Sequence, residues 1–174
     1  MDELKYPIGA YTEKPFSAPR LREWINDIKY LPENIERAIL NLDETQLNTP
    51  YRPDGWTIKQ VVHHVADSHM NAYIRFKLAL TEDNPTIKPY REELWAELSD
   101  TKNLPINISI TLLHALHIRW VEILNNVQDD EWNRTIFHPQ YNRKSTLWYL
   151  LGSYSWHGRH HTAHITSLRE SMKW

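Results

Sequence analysis

The sequence predicts an all-α protein, a four-helix bundle with a long connection between its second and third helices. Three observations predict it. Four stretches carry apolar residues at the 3.6-residue period of a buried helix face. No strand-like alternation persists long enough to build a sheet. Only four glycines stand among 174 residues, too few for a turn-dense β architecture or a Gly-rich nucleotide loop. The length reads as one domain over residues 1–174, enough to bury a sizeable core.

Residues 1–18 read as an extended arm with Tyr6-Pro7-Ile8-Gly9 near its start. The first helix opens near Pro19, where proline suits the first turn, and buries Leu21, Trp24, Ile25 and Ile28. Pro32 is expected to break or kink it, with Ile35, Ala38, Ile39 and Leu42 continuing at helical spacing. Pro50 and Pro53 place residues 43–55 in a loop. Thr57 and Gln60 form a capping-box pattern for a second long helix running to about Leu80. Pro85 and Pro89 mark the long connection, with a short helix over 90–98 and room to cover one end of the bundle. The third helix spans Ile108 to Val127. A loop with His138-Pro139 and Asn142 follows, then a fourth helix from Ser145, its N-cap, to about Met172. Such an arrangement is a four-helix bundle.

A net charge of -2 provides no field for nucleic acid or anionic membrane. The absence of cysteine removes disulfides, thiolate zinc sites and a cysteine nucleophile, so any metal must be held by histidine and carboxylates. Neither a signal peptide's apolar run at the N-terminus nor an 18-residue apolar stretch is found, and the expectation is a cytoplasmic protein. Eight tryptophans and nine tyrosines point to aromatic-rich packing or an aromatic-lined pocket.

Four of the ten histidines fall within Trp156-His157-Gly158-Arg159-His160-His161-Thr162-Ala163-His164. Residues four apart on a helix lie about 6 Å from one another on one face, so His157/His161 and His160/His164 are both candidate metal pairs. The apolar row Leu147, Leu150/Leu151, Tyr154, Ile165, Leu168 puts His161 near its centre and His157 about 45° aside. His160 faces sideways and His164 lies further off, as flanking residues or partners behind a ligand. Two imidazoles desolvated in one core row are expensive without a shared partner, and a metal is the economical one. A third ligand must come from another helix. The second helix offers His63, His64 and His69; periodicity favours His69, without settling the choice.

The segment Gly55-Trp56-Thr57-Ile58-Lys59-Gln60-Val61-Val62-His63-His64-Val65-Ala66-Asp67-Ser68-His69 resembles the signature of the DinB superfamily, and within it the YfiT subfamily of metal-dependent hydrolases. The resemblance extends over Tyr6-Pro7-Ile8-Gly9, Thr49-Pro50-Tyr51-Arg52, His69-Met70-Asn71, Ile74-Arg75-Phe76-Lys77 and the Trp156–Ile165 stretch, nearly the whole chain. It implies a four-helix bundle, a homodimer and metal ligands at His64, His157 and His161. Arg159 stands where close relatives have another histidine, a position that is not a family ligand.

Three imidazoles with open positions make a catalytic type of site. One divalent ion per chain is expected, Zn2+ first and Ni2+ next. It would activate water to attack a small-molecule substrate. Alternatively it would deprotonate a thiol for S-transfer, since relatives of this type resemble enzymes using bacillithiol. Without H-E-x-x-H, no glutamate arrives beside the ligands as a protease base. A metal-binding protein without catalysis is the reading from another class. Asp67 is placed either behind a ligand imidazole or on the outer face, and Asn71, Arg75 and Tyr154 are candidates for a substrate pocket.

Overall fold

The computed structural model describes residues 4–174, so the first three residues of the arm lie outside it. In chain order the elements are α1 (Ala18–Ile39), α2 (Glu44–Leu47), α3 (Ile58–Thr81), α4 (Glu92–Trp95), α5 (Ser99–Asn103), α6 (Asn107–Leu124), β1 (Thr135–His138), β2 (Arg143–Thr146) and α7 (Leu147–Met172). The four long helices are α1, α3, α6 and α7. They bury the expected stripes, including Ile28 and Ile35, Val61 and Phe76, Leu113 and Trp120, and Leu147 and Leu151. Around the bundle α1 packs on α7 and α6, and α3 packs on the same two. Of the long helices consecutive in the chain, α3 and α6 are therefore neighbours, whereas α1 with α3 and α6 with α7 stand diagonally across the bundle. Short hairpin turns cannot span a diagonal, which accounts for the long segments before α3 and α7.

Several elements differ from the sequence expectation, each for a local reason. α1 continues through Pro32 without a break. Proline removes the N–H that would bond the carbonyl four residues back, and that carbonyl, on Ile28, accepts instead from His117 Nδ1 on α6. Within the loop at 43–55, Asp43 and Gln46 cap each other reciprocally and set the short helix α2. The stretch before α7 is not a plain loop. Its two strands form an antiparallel hairpin with Thr135 opposite Thr146 and His138 opposite Arg143, turning at Asn142 in the left-handed region (φ 46°). Strands of four residues are too short for alternation to register. Thr146 caps α7 through Tyr149 N–H, whereas Ser145 is buried within β2. Thr57 and Gln60 cap α3 as the sequence predicts.

Residues 4–17 of the arm carry no helix or strand and lie along α7. Trp148, Trp156 and His164, eight residues apart on α7, direct ring nitrogens to the carbonyls of Lys14 (2.7 Å), Gly9 (3.0 Å) and Lys5 (3.2 Å). Eight helical residues rise about 12 Å, which four or five extended residues span. Near the middle of this contact Gly152 faces Tyr11 and the Trp24 ring so closely that a Cβ would collide with both. Among the described residues no helix is long and apolar enough to cross a membrane.

Candidate metal centre

α3 and α7 lie side by side, and their facing surfaces bring histidines from both into one cluster. His64 Nε2 stands 3.2 Å from His157 Nε2. The His161 ring centre lies 4.8 Å from that of His64 and 4.5 Å from that of His157. One ligand-capable nitrogen from each of the three falls within 4.8 Å of the other two. Removal from water pushes all three pKa values down, and the neighbouring imidazoles push the same way: His64 to about 3, His157 and His161 well below 6.5. All three rings are therefore neutral at pH 7, with lone pairs available.

The histidines left open by the sequence fall into two groups. His63 is a tie between helices: its Nε2–H donates to Leu104 O (3.3 Å) and its Nδ1 accepts from the Ser109 hydroxyl (2.7 Å). The other three lie around the triad. His69, wholly buried, bridges His157 (3.2 Å) and His117 (3.1 Å). His160 stacks on Trp156 and His164 on Tyr51, ring centres 4.4 and 3.9 Å apart. Both are buried rather than flanking, because the arm and the segment around Tyr51 cover a side of α7 that the helix alone would leave in water. His160, His161 and His164 also form a second close group of imidazoles. Arg159 reaches outward to Asp27 on α1 (3.2 Å), clear of the cluster.

Two clefts meet at the triad. The smaller, about 330 Å3, holds His64, His157 and His161 together with Tyr6, Tyr51 and Trp56. The larger, about 710 Å3, is lined by Ser68, Arg75, Tyr90, His138 and Tyr154. His157 and Glu92 line both. Arg75 and Tyr154 thus come together as pocket residues, the Arg75 guanidinium donating to Tyr154 Oη at 2.8 Å. Asn71 does not join them; its amide donates to Asp67 O one turn back. Asp67 bonds no imidazole among the described residues and lies near Asp100, which with burial raises its pKa to about 6. The sequence reading misses Glu92, whose carboxylate comes within 4.0 Å of His64 Nε2 from α4. No H-E-x-x-H pattern announces it, and no periodicity within the long connection points inward.

A helical bundle holding three convergent neutral imidazoles between facing helices is a metalloprotein type of fold and site. The chain belongs to the DinB superfamily, which it matches over residues 28–165. It is 54% identical over 175 residues, the full length of both chains, to proteins of Bacillus cereus strain B4264 and Bacillus anthracis strain CDC 684. Both are provisionally named metal-dependent hydrolases, with no substrate specified. The solved structure of YfiT from Bacillus subtilis, 45% identical, superposes with a TM-score of 0.96 over 99% of each chain. That protein is described, provisionally, as a metal-dependent hydrolase with an unusual four-helix-bundle topology.

Proposed function

We propose that this chain is a metal-dependent hydrolase of small-molecule substrates, with His64, His157 and His161 holding one divalent ion. The observation that carries the reading is the convergence of three neutral imidazoles, with the His64 and His157 Nε2 atoms 3.2 Å apart. Nitrogens bound 2.0–2.1 Å from a tetrahedral ion lie roughly 3.3 Å from each other, so the donor pair fits. An all-imidazole set without thiolate suits zinc, with nickel next. The names of the Bacillus relatives support the same activity.

A bound ion of this kind supplies Lewis acidity, polarising a carbonyl and acidifying water. The chain's own residues do the rest. The 710 Å3 cleft seats the substrate beside His157. Arg75, held by Tyr154 and paired with no carboxylate among the described residues, binds an anionic or carbonyl group of that substrate. Glu92, at the junction of the clefts, accepts the proton that an attacking water gives up. We also propose that the chain works in the cytoplasm as a homodimer, the assembly implied by the family resemblance. Ile108, Leu112 and Ile118 on the outward face of α6 offer it an apolar surface.

Elemental analysis of protein purified without added metal, beside His161→Ala, tests the site. One divalent ion per chain, lost in the variant, is expected. Hydrolysis of a panel of esters, amides and lactones, with and without an added thiol, tests the reaction, and chelation should abolish turnover while the helical circular dichroism persists. Failure of the parent to bind zinc or nickel would sink the reading.

A further inference from the structure

Two of the three imidazoles of the centre are backed by further imidazoles outside the triad, and their order is not arbitrary. A backbone carbonyl can only accept a hydrogen bond, so a ring nitrogen against it must carry the proton. A neutral imidazole has one N–H and one lone pair, and that choice propagates from ring to ring. The rings concerned are withdrawn from water, His69 at 0%, His117 at 2% and His164 at 3% exposure, and among the described residues none has a carboxylate within ion-pair distance.

The first chain begins at Ile28 O, left without a helical N–H by Pro32. His117 Nδ1–H donates to it, which leaves His117 Nε2 as an acceptor. His69 Nδ1 stands 3.1 Å from that atom and must donate. His69 Nε2 then accepts from His157 Nδ1 at 3.2 Å. The proton of His157 is thereby on Nδ1, and its Nε2 lone pair faces His64. The second chain begins at Lys5 O on the arm. His164 Nε2–H donates to it at 3.2 Å, so His164 Nδ1 accepts from His161 Nδ1–H at 3.3 Å. His161 is left with its lone pair on Nε2 as well.

We propose that these two carbonyl-anchored imidazole chains, Ile28–His117–His69–His157 and Lys5–His164–His161, fix the tautomers of the two α7 ligands so that both present an Nε2 lone pair. His69, His117 and His164 are positioning residues, and their role towards a metal rests on the function proposed above. His64 has no such chain among the described residues. In the metal-free protein its Nε2–H donates to the His157 Nε2 lone pair 3.2 Å away. On metal binding that proton leaves Nε2 for Nδ1 of the same ring, so His64 alone changes tautomer. Ring orientation and basicity set from behind in this way are worth about 10–100-fold in metal affinity.

The test is a long-range 1H–15N correlation spectrum of uniformly 15N-labelled, metal-free protein at pH 7.5. Protons are expected on Nδ1 of His117, His69, His157 and His161 and on Nε2 of His164. An Nε2 proton on His157 or His161 overturns the proposal. His69→Leu removes the acceptor for His157, and His157 is then expected to move its proton to Nε2 and zinc affinity to fall about 10–100-fold. His69→Gln, which keeps a donor and an acceptor, should restore both. Unchanged His157 tautomer and zinc affinity in His69→Leu would refute the first chain. His164→Phe applies the same two readouts to His161, and serves if His69→Leu does not fold. Because the spectrum is read without metal, the expected tautomers with no zinc uptake would uphold the chains and overturn the metal reading instead.

Discussion

Replacing His117 by leucine removes the donor that satisfies Ile28 O and the acceptor that satisfies His69 Nδ1–H. Both groups are buried, and each left without a partner costs about 1–3 kcal/mol. Leucine packs in a similar volume, so the total expected loss is about 3 kcal/mol. For a chain of this size that lowers Tm by roughly 6–12 °C. Half of the loss arises only because residue 32 is proline. In a Pro32→Ala background the helix supplies its own N–H to Ile28 O, and His117→Leu should then cost about 1–2 kcal/mol less. Urea unfolding of the parent, both single variants and the double variant, all metal-free, measures this coupling. Equal cost of His117→Leu in the two backgrounds would show that His117 does not compensate for Pro32, and the reasoning would fail.

Asp67 has its pKa raised to about 6 by burial and by Asp100, so the folded chain holds a proton that the unfolded chain releases from pH 3.8 upward. Stability therefore falls as pH rises through that window. Asp67→Asn should stabilise metal-free protein at pH 8 by about 1 kcal/mol, allowing for solvent screening, and by about a third of that at pH 4.5. Melting curves at the two pH values decide it, and an equal gain at both would contradict the assignment. Gly152→Ala should destabilise by about 2 kcal/mol, since Trp24 and Tyr11 are rigid. Gly158→Ala meets only the movable end of Leu31 and gains helix propensity, so chemical denaturation should find it nearly neutral. Once a hydrolysed substrate is in hand, Arg75→Met should raise KM about tenfold for a carboxylate-bearing ester and leave a neutral analogue little changed. A uniform effect on both would remove Arg75 from substrate binding.

The sequence by itself determined the number of the long helices and most of their extent. Periodicity, the Thr57/Gln60 cap and proline punctuation are local signals, and local physics carries them into the structure. Periodicity likewise placed His157 and His161 on the inner face of α7, and the DinB resemblance placed His64 beside them. What sequence could not reveal depends on which helix stands next to which. His69 and His64 compete on a single stripe, yet both point inward, because α3 touches α6 with one flank and α7 with another. Pro32 reads as a break until a donor on α6, 85 residues later, supplies the missing bond. Whether His160 and His164 flank α7 or stand behind a ligand is open until the arm lies down along the helix, and Glu92 reads as one residue of a short helix in the connection until packing sets α4 beside His64. A helix's own face is written at intervals of three and four residues; the partners of that face are set by packing between segments far apart in the chain, which no local period encodes.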